Sequence, residues 1–349
     1  MSSEEKKHKR RVHYSGKYPK KFEEKYKEHS PEKYKDIVDH VIAKGSTPAG
    51  MHISIMVREI LDFLQIKPGQ RGLDCTLGYG GHTRKMLECL QGEGCIYGLD
   101  VDPIESEKTV ARLRNSGYGE DSFKFRLINF ANIDKVSEEA GKFDFVLADL
   151  GVSSMQIDNP ERGFSYKIDG PLDLRLDPEH GESAAERLRN VTKDEFIGML
   201  IENSDEPYAE EIANKVFSLM KKGNPMNTTT ELRHAIEDAL WKLPKDEKNQ
   251  AVKKSCARVF QALRIDVNSE FEVLYSFLEK LPNVLESGGR VAILTFHSGE
   301  DRLVKKAFKK LYKEGSFSDI STDVIRPSAE ECHINPRSKS TKMRWAIKA

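Results

Sequence analysis

The chain has 349 residues, in which 56 lysines and arginines balance 56 aspartates and glutamates. This length suits one large domain plus a second unit or an insertion. The balance excludes a uniformly basic nucleic-acid binder, so any nucleic-acid surface must come from local clustering of charge. No apolar run approaches the roughly 18 residues of a membrane span, and the charged N-terminus lacks a signal-peptide core, which favours a cytoplasmic protein without a membrane partner.

The cysteines indicate neither a metal site nor a disulfide framework. Five are present, with no C-x-x-C pair and no zinc-binding spacing. An odd number also argues against complete pairing within one chain. We therefore predict reduced, mostly structural cysteines and no bound metal.

The first 50 residues form a basic extension and a linker. Residues 1–35 carry 12 lysines and arginines against 6 glutamates, a net charge of +6, with five interleaved aromatic residues. Such a segment can bind RNA phosphates and stack on bases, or it can be a solvated tail, and composition leaves both open. Residues 44–50 (KGSTPAG) are typical of a linker, which places the start of the folded domain near Met51.

Residues 73–87 (LDCTLGYGGHTRKML) combine a short apolar strand, a glycine turn and a helical pattern. Glycines at 78, 80 and 81 allow positive φ angles and close approach of a ligand. Strand, glycine turn and helix in this order are typical of the nucleotide site in a doubly wound α/β sheet. A dinucleotide fingerprint beginning at Gly78 needs glycine where Thr83 stands, which disfavours an NAD-dependent oxidoreductase.

Three more short apolar runs predict strands at residues 95–100, 123–128 and 143–148. The first ends in Asp100, 20 residues beyond Gly80, where nucleotide-binding folds place a carboxylate for ribose hydroxyls. Phe130 and Asp149 follow the other two. Ligands bind at the carboxyl ends of parallel strands. We therefore expect the glycine turn, Asp100, Phe130 and Asp149 to lie at one rim of the sheet.

Between residues 155 and 254 only helical patterns occur, with apolar stripes at residues 195–203, 208–222 and 231–243. An all-helical insertion would suit substrate recognition, although packing alone explains the stripes. The α/β pattern then resumes with a long helix at 251–281, a turn at 286–290, strands at 290–296 and 344–348, and a basic tail at 335–344. This predicts an α/β fold divided into residues 1–50, a first core part at 51–154, a helical domain at 155–254, and a second core part at 255–349.

Six blocks are more specific than these patterns: TLGYGGH (76–82), DLGVSS (149–154), NPERGF (159–164), DGPLD (169–173), FQALR with VNSE (260–270) and FHSGEDR (296–302). From about His52 onward the chain resembles the 16S ribosomal RNA cytosine-N4 methyltransferases, the RsmH or MraW family. The resemblance implies a class I methyltransferase fold with an inserted helical domain and S-adenosyl-L-methionine as cofactor. It further implies N4 methylation of a cytidine in 16S ribosomal RNA within the small subunit, most specifically the decoding-centre cytidine.

The resemblance also implies residue roles by motif match. The cofactor-binding residues are Gly80, Gly81, His82, Asp100, Phe130, Asp149 and Gln156. The first three would line the methionine end, and Asp149 would be the catalytic residue that holds the exocyclic amine in line with the methyl group. Candidates for RNA contacts are Arg175, Arg264, His297, Arg302, Arg337 and Arg344, although each arginine could equally be an ion-pair partner within the fold and His297 a core histidine.

Two departures leave alternatives open. Gly299 stands where the family usually has leucine, and the common family form lacks the basic N-terminal extension. The chain could therefore be a divergent paralogue acting on another RNA or DNA cytosine. A non-catalytic ribosome-assembly factor is a further alternative, and a homodimer stays open.

Overall fold

The computed structural model describes residues 54–349. The predicted basic extension, linker and start of the domain near Met51 lie outside these residues. In the described part, one sheet consists of β1 (Arg71–Asp74), β2 (Cys95–Asp100), β3 (Phe123–Leu127), β4 (Phe143–Asp149), β5 (Leu285–Thr295), β6 (Phe317–Ile320) and β7 (Lys342–Lys348).

The strand order is β3-β2-β1-β4-β5-β7-β6. Strands β1 to β5 are parallel neighbours, and β7 pairs antiparallel with both β5 and β6. The order reverses between the neighbouring strands β1 and β4, which is the switch point where doubly wound sheets bind ligands. The predicted doubly wound α/β sheet is confirmed.

Helices cover both faces of the sheet and form a separate helical layer. They are α1 (Val57–Leu64), α2 (Gly81–Leu90), α3 (Pro103–Asn115), α4 (Ile133–Ala140), α5 (Ser154–Asp158), α6 (Ala184–Asn190), α7 (Lys193–Ser204), α8 (Ala209–Lys221), α9 (Thr229–Ala239), α10 (Lys245–Val267), α11 (Glu270–Val284), α12 (Ser298–Lys313) and α13 (Ala329–Ile334). In the described part of the chain no helix is both long and apolar enough to cross a membrane.

Three apolar clusters explain this arrangement. Two lie on opposite faces of the sheet, one beneath α4, α11 and α12 and the other beneath α1 and α2. The third contains buried residues from Phe164 to Leu263 and belongs to the helical layer. The inserted helices therefore bury their stripes mainly against one another. The division at residue 254 stays a prediction, and α10 runs through that position.

The predicted long helix at residues 251–281 is wrong, because the chain breaks between α10 and α11. Ser269 has a φ of 49°, in the left-handed region. The side chain of Asn268 accepts a hydrogen bond from the Leu176 N–H and donates one to the Leu174 carbonyl. These hydrogen bonds to a loop about 90 residues earlier in the chain interrupt the helix at Asn268. A local apolar pattern cannot predict such long-range contacts.

Two details of the sheet also differ from prediction. Strand β5 begins at Leu285 and includes the predicted turn at 286–290, with an irregularity in its pairing to β4. Strand β6 has no counterpart in the sequence reasoning, because its four residues (FSDI) show a burial pattern with a single buried position. Short edge strands carry too little periodicity to be recognised alone.

Gly72 in β1 provides a test of how closely β1 packs against the Phe145 ring of β4. A Cβ there would lie 2.0 Å from the Phe145 ring, whereas a Cβ at Gly119 meets nothing within 4 Å. We expect Gly72→Ala to lower the free energy of unfolding by roughly 1–3 kcal/mol through overpacking. Gly119→Ala should have little effect. Chemical denaturation of both variants checks this, and equal stabilities would contradict the packing described.

Candidate active site

The glycine turn packs closely against its neighbours at the start of α2. Gly80 has a φ of 77°, and a Cβ on it would come within 2.8 Å of Thr109. At Gly81 an added Cβ would lie 2.0 Å from the Ser54 hydroxyl. Both positions therefore accept only glycine, because the protein's own side chains pack directly against the backbone there.

Asp100 at the end of β2 is fixed to this turn. Its Oδ2 accepts a hydrogen bond from the Gly78 N–H at 2.8 Å, and its Oδ1 accepts from the N–H groups of Val101 and Asp102. Burial raises the pKa of Asp100 to about 6, although the backbone donors favour the charged form. Of its roughly four acceptor positions, three are occupied, so one more donor can bind.

Asp149 ends β4 and lies beside His82 of α2. Asp149 Oδ2 is 3.5 Å from His82 Nδ1, and the Asp149 N–H donates to the Thr76 hydroxyl at 2.7 Å. Its other oxygen, Oδ1, is buried and has no hydrogen-bond partner among the described residues. A buried carboxylate oxygen without a donor is uncommon and calls for a functional explanation. Because the Asp149 side chain is 26% exposed, a rotation of the carboxylate brings Oδ1 to the rim, where a ligand N–H or O–H can donate to it.

The environment of Asp149 perturbs its titration. Burial raises the pKa of Asp149 to about 6, the neighbouring His82 lowers it, and the carboxylates of Asp74 and Glu300 raise it. The group therefore changes charge close to neutral pH, as groups at functional sites often do.

His82 carries its proton on a defined nitrogen. Its Nε2 lies 2.9 Å from the backbone carbonyl of Ile55, which can only accept a hydrogen bond. Nε2 is therefore protonated, and a neutral ring would turn the Nδ1 lone pair toward the Asp149 carboxylate. A proton between Nδ1 and Oδ2 removes this repulsion and makes the contact favourable.

The other two predicted cofactor residues lie at the same rim. Phe130 opens a 3₁₀ turn after β3, and its ring packs edge-on against Phe277 with centroids 5.3 Å apart. Gln156 is buried, with its carbonyl oxygen accepting from the Ser153 N–H and its amide donating to Asp102. Both ends of the Gln156 side chain are thus engaged within the protein.

Sequence reasoning missed the buried pair that connects the sheet to the insertion. Arg162 Nη1 donates to Asp102 Oδ2 at 2.7 Å, and the side chains are 8% and 1% exposed. Asp102 Oδ1 also caps α3 by accepting from the Ile104 and Glu105 N–H groups. The Asp102-Pro103 dipeptide carries the N-cap signal, and Arg162 lies within the NPERGF block, but nothing local links the two positions.

Several candidates for RNA contacts lie in internal ion pairs. Arg264 and Arg175 each form two hydrogen bonds with one carboxylate, that of Glu270 and that of Asp173. Arg344 is 5% exposed and bonds to Asp301 at 2.6 Å. His297 lies 3.2 Å from Glu300 and is largely buried. The ion-pair interpretation thus describes these three arginines in the folded chain.

Arg302 and Arg337 are more accessible. The Arg302 side chain is 60% exposed and lies 4.0 Å from the exposed Asp205. Arg337 bonds to Asp158 at 2.7 Å and is 39% exposed. Of the six candidates, Arg302 therefore presents the most accessible guanidinium group for a phosphate.

One buried cluster contains side chains of the kind that bind metals. Ligand atoms of Glu270, His297 and Glu300 lie within 4.8 Å of one another. The Arg264 guanidinium already binds both oxygens of Glu270. A cation there would have to displace this arginine or bind beside its positive charge, which the electrostatics disfavour.

A cleft of about 620 Å³ lies between α7 and the junction of α10 with α11. Five carboxylates line it, those of Glu182, Glu195, Glu202, Asp266 and Glu272. The single arginine in its lining, Arg187, is paired with Asp266. None of the predicted site residues lines this cleft, and its charge disfavours phosphate groups.

Comparison with known proteins gives consistent similarities. Residues 49–349 match the MraW methylase family. The chain is 68% identical to ribosomal RNA small subunit methyltransferase H 1 of Agathobacter rectalis over 347 residues, covering 99% of both chains. It is 58% identical to methyltransferase H 2 of Alkaliphilus metalliredigens over 349 residues, covering 100% of both chains. Identity to methyltransferase H of Clostridioides difficile is 38% over 315 residues, covering 85% of this chain and 98% of that one.

The first two similarities bear on the N-terminal extension. They cover almost the whole chain, so they include the basic segment that departs from the common family form. The extension thus lies within the region that matches two relatives named ribosomal RNA small subunit methyltransferase H 1 and H 2.

The Asp102–Arg162 pair can be tested by stability. Arg162→Met leaves the Asp102 carboxylate buried without its cation, which we expect to cost about 3 kcal/mol of unfolding free energy. Adding Asp102→Asn should recover part of this loss, because the amide carries no charge. The exposed pair of Arg58 with Asp62 supplies the control, since Arg58→Met should change stability by less than about 0.5 kcal/mol. Denaturant titration measures all three, and a neutral Arg162→Met would contradict the assignment.

Proposed function

Because the chain belongs to the MraW methylase family, we propose that it methylates N4 of a cytidine in small-subunit ribosomal RNA. The observation that carries this proposal is the free Oδ1 of Asp149, buried at the carboxyl end of β4 beside the glycine turn. The names of the relatives support the ribosomal substrate. The decoding-centre cytidine, in an assembled small subunit, is the specific target we propose.

The cofactor prediction, S-adenosyl-L-methionine, is confirmed by membership of the MraW methylase family. When bound, it supplies an electrophilic methyl group on a sulfonium. We propose that the backbone at Gly80 and Gly81 takes the methionine end and that the remaining acceptor position of Asp100 takes a ribose hydroxyl. His82, Phe130 and Gln156 are the further cofactor contacts we propose.

Methyl transfer to cytosine requires that the enzyme activate the nucleophile, which is the exocyclic amine. The lone pair of a cytosine exocyclic amine is delocalised into the ring, so the enzyme has to hold the amine in line and accept a hydrogen bond from it. In our proposal Asp149 Oδ1 accepts an amine N–H and then the proton that the nitrogen loses on methylation. His82 keeps Oδ2 occupied, which leaves Oδ1 for the substrate.

Removing Asp149 tests the catalytic role. We expect Asp149→Ala to lower the methylation rate by roughly 100-fold or more, the scale for losing one oriented polar group. Cofactor affinity, measured by calorimetry with S-adenosylhomocysteine, should change far less, and the fold should persist. A variant with near-normal turnover would exclude the role.

The pH dependence of the methylation rate tests the interaction between Asp149 and His82. Asp149 must be ionised to accept a proton, so the methylation rate should rise with pH through about 6, the pKa to which burial raises Asp149. The nearby His82 lowers this pKa, so His82→Phe should move the acidic limb of the profile to higher pH. The exposed His180 supplies the control, because His180→Phe should leave the profile unchanged. A limb that keeps its position in His82→Phe would contradict the coupling.

Two alternatives remain distinct from this proposal. A divergent paralogue would methylate a different cytidine, and a non-catalytic assembly factor would bind ribosomal particles without methylating them. Mapping N4-methylcytidine in ribosomal RNA from cells with and without the gene separates all three. A homodimer stays a prediction that gel filtration with light scattering would test.

A further inference from the structure

Helix α12 leaves the active-site rim with one apolar face and one basic face. Asp149 pairs with Leu294 of β5, and α12 begins four residues after Leu294, at Ser298. Val304 and Phe308 are buried against the sheet, as the apolar spacing of an amphipathic helix requires. The opposite face is open to solvent and begins beside the proposed reaction site.

The exposed face of α12 is cationic from Arg302 to Lys313. Its exposed basic residues are Arg302, Lys305, Lys306, Lys309, Lys310 and Lys313, and no acidic residue lies between positions 302 and 313. Two ion pairs involve this set, Arg302 with Asp205 and Lys310 with Glu314, both at 4.0 Å. Lys305, Lys306, Lys309 and Lys313 have no ion-pair partner among the described residues.

The spacing forms a continuous stripe. Positions 302, 306, 309 and 313 follow the i, i+4, i+7, i+11 spacing of one helix face. At 1.5 Å per residue this stripe is about 16 Å long, which spans several phosphates of an RNA strand. Tyr312, 49% exposed, lies among these lysines. A basic groove or face with an exposed aromatic ring is the combination that binds single-stranded RNA by charge and stacking.

We propose that the exposed face of α12 binds the ribosomal RNA backbone that flanks the target nucleotide. Arg302 and the lysines contact phosphates, and Tyr312 stacks on a base. This proposal rests on the proposed function, since it assigns a path to the same substrate. It also identifies a local cluster of positive charge in a chain of zero net charge, while the acidic cleft by α7 repels the backbone.

A charge-neutralising pair of substitutions tests the path. Lys306→Ala with Lys309→Ala removes two stripe lysines at positions where alanine favours the helix. Lys67→Ala with Lys142→Ala is the matched control, because these exposed lysines precede β1 and β4, at the opposite edge of the sheet. Both variants lose the same formal charge.

The assay measures binding of the full chain, with S-adenosylhomocysteine, to small subunits from cells that lack the gene. We expect the stripe variant, Lys306→Ala with Lys309→Ala, to bind more weakly than the unaltered chain. Its plot of log affinity against log salt concentration should be less steep by about 1.4, because each of the two lost phosphate contacts contributes roughly 0.7 to the slope. Tyr312→Ala should weaken binding about tenfold, because the stacking is removed, without changing that slope, and Tyr312→Phe should restore it. The control variant should bind as the unaltered chain does.

The outcomes separate this inference from the proposed function. If the unaltered chain methylates the subunits while the stripe and control variants bind them equally, the α12 path is wrong and the function stands. If the unaltered chain binds but does not methylate, the function fails. A stripe variant that loses affinity only for vesicles of anionic lipid would also overturn the path, because a membrane would then be the partner.

Discussion

The buried carboxylate of Asp102 joins the two parts of this protein. It caps α3 with one oxygen and receives the Gln156 amide and the Arg162 guanidinium on the other. A charge removed from water this completely is costly unless every acceptor is satisfied, so the loop that begins the insertion is held against the end of β2. Asp100 lies two residues away, and the position of the helical layer is therefore linked to the cofactor side of the rim.

The hydrogen bonding of Asp149 differs from that of Asp102. Its backbone is fixed by Thr76 and its Oδ2 by His82, but Oδ1 is buried without a donor among the described residues. Asp102 has partners on both oxygens because it holds structure, whereas Asp149 keeps one oxygen free. This contrast distinguishes a structural carboxylate from a candidate for catalysis more clearly than their similar positions after parallel strands do.

The elements that sequence predicted well are those with strong local patterns. The strand at 95–100 matches β2, and the apolar stripes match α7, α8 and α9 to within a few residues. The predictions failed where a distant contact decided the conformation, as at Asn268, which a loop near Leu174 holds. The same reason applies to Arg264 and Arg344, for which the sequence left RNA contact and internal ion pairing open, because only the fold identifies their partners, Glu270 and Asp301.

The sequence by itself determined the α/β class, the glycine turn, and the identity of Asp100 and Asp149 as residues at strand ends, because period, glycine placement and strand termini are local properties. Only the tertiary structure decided how these groups act. It set the His82 proton through a carbonyl 27 residues earlier, left one oxygen of Asp149 without a donor in the described part of the chain, and placed the lysines of α12 on a face that begins at the rim. Protonation and unsatisfied hydrogen bonds depend on neighbours in space, which no local pattern records.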